Sequence, residues 1–324
     1  MAQALKKADN VMFQSTQPEF GDNRLELLRG LRQAQKTLDP KWFYDERGSR
    51  LFDRITRLPE YYPTRTEIGI LTDNRQAISR LCETGCVFIE PGSGSSEKVR
   101  LLLDELRPSA YVPVDISEEF LCDAALQLGR EYPWLNIHAV CADFNHSWSF
   151  LDEVPEGKRV VFYPGSTIGN LEPQAAVAFL QRVRRILGED GGALVGVDLH
   201  KSSPRLHAAY NDASGLTARF NLNVLERING VLDANFDERL FSHRAFYNEE
   251  LQRIEMHLVS DKAQSVKCSG GHIEFAAGET IHTENSYKYT VDGFAQLAQS
   301  ANLSLQQSWL DSESLFSVHY LSAV

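Results

Sequence analysis

The segment Val87-Phe88-Ile89-Glu90-Pro91-Gly92-Ser93-Gly94-Ser95-Ser96-Glu97-Lys98-Val99-Arg100-Leu101-Leu102-Leu103 constrains the fold of this 324-residue chain more than any other. A β-branched apolar run ends in an acid, passes through two glycines one residue apart, and continues with helical spacing. That order predicts a strand, a tight turn and a helix whose first turn can be capped by Ser95 or Ser96. Glycine lets backbone approach a ligand closely, and the uncapped N–H groups of a first helical turn point into the gap. A small polar ligand is therefore expected above this turn.

Spacing narrows the ligand. A dinucleotide fingerprint needs a third glycine where Glu97 stands, and a phosphate-gripping loop needs Gly-Lys-Ser/Thr, whereas Lys98 is followed by Val99. An acid closing the strand opposes an anion above the turn and suits a ligand with positive charge and hydroxyls. Glu-x-Gly-x-Gly after a strand resembles the first motif of Rossmann-like S-adenosylmethionine-dependent methyltransferases; an ordinary glycine turn is the competing reading.

Downstream, the pattern repeats. Tyr111–Asp115 predicts a second strand ending in an acid, and Asp115 falls 23 residues after Gly92, near the spacing that places a carboxylate on ribose hydroxyls. A helix over 117–131 precedes a third strand in Asn136–Phe144; Val160–Tyr163 is a fourth, followed by Pro164-Gly165-Ser166-Thr167-Ile168-Gly169-Asn170. A helix over about 173–187 leads to a fifth strand ending at Asp198. Such alternation predicts right-handed crossovers and a parallel sheet covered on both faces. Glu90, Asp115, Asp143, Asn170 and Asp198 then share the carboxyl rim where ligands bind.

The flanks differ. Leu25, Leu27, Leu28 and Leu31 suggest an amphipathic helix, and Ile68, Leu71, Ile78 and Leu81 another over 67–80. Between them, aromatic clusters at Trp42-Phe43-Tyr44, Phe52 and Tyr61-Tyr62 favour a loop packed by its rings, with a lid or pocket wall as the alternative. Residues 200–250 read as mostly helical, and Arg253–Val259 as a hairpin strand pairing with Ser265–Cys268 or His272–Phe275 across Gly270-Gly271. A helix at 290–300 and the run Leu315–Leu321 return to the first sheet. The predicted division is 66–200 plus 289–324 for one domain and 1–65 plus 201–288 for the other.

Composition excludes several classes. Charge is 33 − 44 = −11 with no Lys/Arg block, which argues against nucleic acid. No run of 18 apolar residues exists, and Met1–Lys7 lacks the apolar core of a signal peptide, so a cytoplasmic protein without a membrane partner is expected. Five cysteines, Cys82, Cys86, Cys122, Cys141 and Cys268, have no second pair at metal spacing and read as reduced thiols; the nine histidines show no ligand constellation, and no metal is expected.

Taken together, Leu58–Glu67, Gly92–Lys98, Gly165–Asn170, Tyr210–Asn221, Ile254–Met256 and Thr283–Lys288 resemble the histidine-specific N-alpha-methyltransferases of ergothioneine biosynthesis, which make hercynine. The resemblance runs from Lys41 to near the end. It implies an α/β fold: a Rossmann-like class I methyltransferase sheet with a second, inserted α+β substrate-binding domain. It further implies that S-adenosylmethionine is the methyl donor, with Gly92 and Lys98 in contact with it, Asp115 on its ribose, and Asp143 with Phe144 flanking adenine. Tyr61, Asn170 and Tyr210 match contacts to the amino-acid backbone of histidine, with Tyr44 a further candidate near the amine. Glu284 and Ser286 match the residues holding the imidazole, and Met256 an apolar wall. Residues two apart in an extended segment share a face, so Glu284 and Ser286 can meet both ring nitrogens. Pro91 departs from the pattern, where leucine is commoner, and removes one backbone donor from the turn. Three successive transfers to the α-amine are implied, with Asn170 and Tyr44 nearest the chemistry and no obligate protein partner. Competing readings are an N-methyltransferase for another amino acid and a non-catalytic cofactor-binding module.

Overall fold

The computed structural model describes residues 9–15, 20–144, 148 and 154–324, with no side-chain description for 20–22; Met1–Lys7 lies outside the described residues. In chain order the elements are β1 (Val11–Ser15), α1 (Phe20–Leu31), β2 (Lys36–Thr37), α2 (Glu46–Ile55), α3 (Tyr62–Cys82), β3 (Val87–Pro91), α4 (Glu97–Leu106), β4 (Ala110–Asp115), α5 (Glu118–Glu131), β5 (Ile137–Cys141), β6 (Arg159–Tyr163), α6 (Pro173–Leu187) and β7 (Gly192–Asp198). There follow α7 (Ser203–Tyr210), α8 (Leu216–Leu232), β8 (Phe241–Asn248), β9 (Arg253–Ser260), β10 (Gln264–Cys268), β11 (Gly271–Phe275), β12 (Thr280–Tyr287), α9 (Val291–Gln299), β13 (Leu303–Leu310) and β14 (Phe316–Ala323). The chain forms two compact units, one of 1–17, 65–199 and 289–324, the other of 18–64 and 200–288.

The first unit carries an eight-stranded sheet in the order β1-β5-β4-β3-β6-β7-β14-β13. The strands from β1 to β7 run parallel, β14 lies antiparallel against β7, and β13 against β14. Successive residues of β3 explain its continuous apolar run. Val87 and Ile89 join a core with Phe179, Val183 and Phe294 on one face, while Phe88 joins Ile70, Leu102 and Leu121 on the other. A strand buried on both faces has no polar alternation to show. This is the Rossmann-like α/β sheet expected from the alternation of elements. The order of β5-β4-β3-β6-β7 turns around at β3, so the glycine loop after β3 sits at a switch point of the sheet.

β1 corrects the division expected from the sequence, which placed 1–65 wholly in the second domain. Val11–Ser15 instead pair in register with Ile137–Cys141 at the sheet edge. Among the described residues no helix is long and apolar enough to cross a membrane. Cys82, Cys86, Cys141 and Cys268 are buried and Cys122 is half-buried.

The second unit holds a four-stranded sheet, β2-β12-β9-β8, and a separate β10-β11 hairpin. Two expectations fail here. β9 does not pair with Ser265–Cys268 or His272–Phe275; those two pair with each other, and β9 lies between β8 and β12. Five consecutive buried residues in β9 mark it as an interior strand, whose partners are set by distant segments rather than by the nearest turn. Phe241–Asn248, read as helical, is the edge strand β8. The aromatic stretch read as a packed loop is instead a 3-10 turn over Pro40–Phe43, then α2, then the start of α3 at Tyr62. Asp45 caps α2 by accepting from the Gly48 N–H at 2.6 Å.

Candidate active site

On the first unit the glycine loop is held open from below. Gly92 and Gly94 have φ of +69° and +53°, values that glycine adopts without strain. The Gly92 N–H donates to the Val114 carbonyl at 2.7 Å, tying the loop to β4. A Cβ on Gly92 would stand 3.6 Å from the Phe144 ring, so loop and ring face one another closely. Ser96 does occupy the N-cap of α4, but in left-handed conformation and with no capping hydrogen bond, contrary to expectation. Its hydroxyl lies instead 3.1 Å from the Tyr111 hydroxyl oxygen, to which it can donate because the single Tyr111 proton goes to Glu90.

Glu90, placed on the rim by the sequence pattern, is only 2% exposed and takes a hydrogen bond from Tyr111 beneath the loop. Burial pushes its carboxyl up to about 8, against the opposing pull of that hydrogen bond. Asp115 is held by backbone alone: Oδ2 accepts from the Gly94 N–H and Oδ1 from the Ser117 N–H, each at 3.0 Å. Burial raises its pKa while these N–H groups oppose the rise. A carboxylate offers about four lone-pair sites, so each oxygen keeps one to spare. Asp143 is buried just past β5, and the Ala142 N–H binds the Asp115 carbonyl at 3.0 Å. Phe144 packs edge-on against Tyr163 and Phe179, with centroids 6.1 and 6.3 Å apart.

Asn170 ends a 3-10 turn over Thr167–Asn170. The turn is pinned to the end of β7, where the Asp198 N–H donates to the Ser166 hydroxyl at 2.9 Å. Asn170 is half-buried, and its amide makes no hydrogen bond among the described residues.

Glu67, which no spacing rule singles out, organises this rim. It is fully buried, accepts from the Gly165 N–H on both oxygens at 2.9 Å, and pairs with Lys98 Nζ at 2.5 Å. The signal was present as the terminal residue of the Leu58–Glu67 motif. A Cβ on Gly196 would overlap Oε1 of Glu67. Gly196→Ala is accordingly expected to destabilise the protein by about 3 kcal/mol, the upper range for overpacking. Urea denaturation measures it, and a loss below about 1 kcal/mol would show that Glu67 can be displaced cheaply.

On the second unit an aromatic chain connects the tyrosines. Tyr44 meets Phe52 and Phe220 edge-on, Phe52 meets Tyr61 at 6.2 Å, and Tyr61 meets Tyr210 at 6.3 Å. Tyr61 and Tyr210 are 8% and 7% exposed; Tyr44 is half-buried. Two residues on, Asp212 anchors α8 by accepting from the Leu216 and Thr217 N–H groups at 2.9 and 2.8 Å.

β12 carries the other candidates through an irregularity no spacing rule shows. Its register against β9 shifts between His282 and Glu284, leaving Thr283 as the extra residue. The Thr283 hydroxyl bonds inward, to the Met256 carbonyl at 3.0 Å and Asn221 Oδ1 at 2.8 Å. A bulge of this kind re-aims the residues that follow. Glu284 thereby stands opposite Met256, and Ser286 opposite Ile254. Directly opposed residues share a face, so Met256 is the apolar neighbour of Glu284.

Glu284 makes no side-chain hydrogen bond or ion pair among the described residues. Burial pushes its carboxyl up to about 8, while the Lys288 ammonium pulls the other way. Ser286 is buried and accepts from the Tyr210 hydroxyl at 2.8 Å and from Lys288 Nζ at 2.6 Å. Lys288 closes the Thr283–Lys288 motif, where residue type and spacing assign it no role.

The histidines are less scattered than the sequence suggested. Glu255, His257 and His282 offer ligand atoms within 4.8 Å of one another. However, Glu255 already accepts from Arg253 Nε at 2.9 Å, Asn248 Nδ2 at 3.0 Å and His257 Nε2 at 3.0 Å, and the two imidazoles stack at 4.6 Å. The guanidinium supplies the positive charge a cation would bring.

The sequence pattern of the family described as histidine-specific, SAM-dependent methyltransferase matches residues 23–323. The chain is 43% identical over 296 residues to a histidine N-alpha-methyltransferase of Mycolicibacterium smegmatis, covering 89% of this chain and 91% of that protein. It is 41% identical over 295 residues to the Mycobacterium tuberculosis protein of the same name, with the same coverage of 89% and 91%. An ergothioneine biosynthesis protein 1 of Neurospora crassa is 30% identical over 299 residues, covering 86% of this chain and 32% of that longer protein. The chain belongs to the family of histidine-specific, S-adenosylmethionine-dependent methyltransferases.

Proposed function

We propose that the protein transfers three methyl groups from S-adenosylmethionine to the α-amino group of L-histidine, giving hercynine for ergothioneine biosynthesis, in the cytoplasm and without nucleic acid, membrane or an obligate protein partner. The observation carrying the substrate assignment is Glu284, a desolvated carboxyl without a side-chain hydrogen bond among the described residues, two positions from the Ser286 hydroxyl. An acceptor and a hydroxyl on one face suit the two nitrogens of an imidazole. Neither indole nor phenyl would use both.

S-adenosylmethionine supplies a methyl group on a sulfonium, transferable by in-line displacement. The groups of the first unit fit it: Asp115 has spare lone pairs for vicinal hydroxyls, Phe144 offers a ring beside the open loop, and Asp143 can accept from an amino group. Lys98, fixed by Glu67, borders the same loop. Asn170, with donor and acceptor uncommitted among the described residues, suits the ammonium and carboxylate of an amino acid, as do the hydroxyls of Tyr61 and Tyr210. These residues orient the amine, and orientation can supply roughly 7–11 kcal/mol of barrier reduction. The displacement calls for neither a metal nor a covalent intermediate. Each transfer requires a neutral amine; solvent takes the proton, with Tyr44 nearby.

Histidine incubated with the protein and S-adenosylmethionine is expected to gain three methyl groups by mass spectrometry. Tight donor binding with no gain would favour the non-catalytic module.

The Glu284 carboxyl also sets a pH dependence. A neutral imidazole N–H is held more strongly by the ionised acid than by the protonated one, and below about 8 the free protein carries the proton. Between pH 7 and 8 histidine's own ring is already neutral, so its affinity should rise about fivefold over that unit, with proton release. Calorimetry in buffers of different ionisation heat measures both, and Glu284→Gln should flatten the profile. In the free protein the sign is opposite for stability: the folded state holds a proton that the unfolded state lacks between about 4.5 and 8, so this group lowers stability as pH rises through that window.

A further inference from the structure

Lys288 follows β12 and is 3% exposed. Its backbone is fixed on both sides, the N–H donating to the Gln252 carbonyl at 2.9 Å and the carbonyl lying 2.7 Å from His200 Nε2. Its ammonium stands 5.3 Å from the Tyr210 ring centroid and donates to Ser286 Oγ at 2.6 Å, while Tyr210 donates to the same oxygen at 2.8 Å. A serine oxygen has two lone pairs and one proton, and an ammonium can only donate. The ammonium takes one lone pair of Ser286, and the Tyr210 phenol, the stronger O–H donor of the two hydroxyls, gives into the other, which leaves the Ser286 proton for a ligand.

We infer that Lys288 is a positioning residue that forces Ser286 to act as a donor, so that the site accepts one imidazole tautomer only: lone pair toward Ser286, N–H toward Glu284. This rests on the histidine-methylating reading above. Ionised Glu284 can only accept, so the pair presents one donor and one acceptor, and the neutral ring satisfies both in a single orientation. Without Lys288 the Ser286 hydroxyl is free to rotate and to present a lone pair, which would also admit a ring nitrogen carrying a proton. The same ammonium favours the charged form of Glu284. Lys288 thus acts on the substrate through two residues that touch it.

The test is a double-mutant cycle on histidine affinity, read by calorimetry in wild type, Lys288→Met, Ser286→Ala and the double variant. Each single change is expected to weaken histidine about tenfold, with S-adenosylmethionine affinity unchanged. The double variant should be weaker than Ser286→Ala by no more than about threefold, because Lys288 acts largely through that hydroxyl. Additive losses, or wild-type affinity in Lys288→Met, overturn the inference. A merely structural lysine would also lower donor affinity. A second measurement avoids the lysine variant altogether. An alanine bearing a thiazole, whose ring nitrogen has a lone pair and no N–H, should lose about tenfold on Ser286→Ala, whereas a pyrrole analogue with only an N–H should be indifferent. The reverse order overturns the assigned polarity. Wild-type protein that does not take histidine overturns the functional reading itself, whereas histidine binding that ignores Lys288 overturns only this inference.

Discussion

Glu284→Ala is expected to weaken histidine binding roughly a hundredfold, about 3 kcal/mol, and to leave S-adenosylmethionine binding within twofold of wild type. The size follows from its surroundings. The carboxyl is desolvated enough to titrate at about 8 and makes no side-chain hydrogen bond among the described residues, so its function is not spent on the fold. A ligand N–H meeting that acceptor makes a charge-assisted bond away from water, and its loss strands a polar ring edge against Met256. The variant should fold normally, because removing a half-buried, desolvated acid also removes a desolvation cost. Calorimetry with each ligand separates the two affinities. Equal loss of both would indicate damaged structure and a wrong assignment.

Asp115→Asn should have a comparable effect on the other ligand, weakening S-adenosylmethionine roughly a hundredfold. Both oxygens of Asp115 accept from backbone N–H groups, Gly94 on one side and Ser117 on the other, at 3.0 Å. An amide must turn its NH₂ toward one of these donors, which leaves a buried N–H facing another N–H. It also halves the acceptors offered to a pair of hydroxyls. The substitution should therefore both displace the loop carrying Gly94 and weaken the grip on the ribose. Donor affinity within threefold of wild type would remove Asp115 from the ribose role.

The sequence showed its parallel sheet because burial on both faces writes an apolar run with an acid or amide at its end. Val87–Pro91, Ala110–Asp115 and Gly192–Asp198 are all of this kind. What it hid has physical reasons. β1 is a half-exposed edge strand, Val-Met-Phe-Gln-Ser, with neither alternation nor a buried run to mark it. β8 mixes polar and aromatic residues at an edge, and its pairing with β9 depends on contacts rather than on its own pattern. Helix α3 begins at Tyr62 because Pro63, at its second position, suits a first turn, so residues read as an aromatic loop belong to the helix.

At the site, family resemblance pointed to Glu284 and Ser286 as it did to most of the rest, and their spacing in an extended segment agreed with it. The bulge at Thr283 was invisible, because a one-residue register shift is a relation between two strands. Glu67 and Lys288 are the closing residues of the Leu58–Glu67 and Thr283–Lys288 motifs, yet each contacts another side chain, Lys98 or Ser286, and a single charged residue has no spacing signature in the sequence.

The most direct test of the central claim, that an acceptor and a donor on β12 select an imidazole for α-amine methylation, is the ratio of kcat/KM for histidine to that for tryptophan on the unmodified protein. A site built to bond both ring nitrogens should favour histidine by roughly 10⁴-fold or more, with product methyl groups on the α-nitrogen by NMR. Comparable rates for the two amino acids, or methylation of the ring, would contradict it.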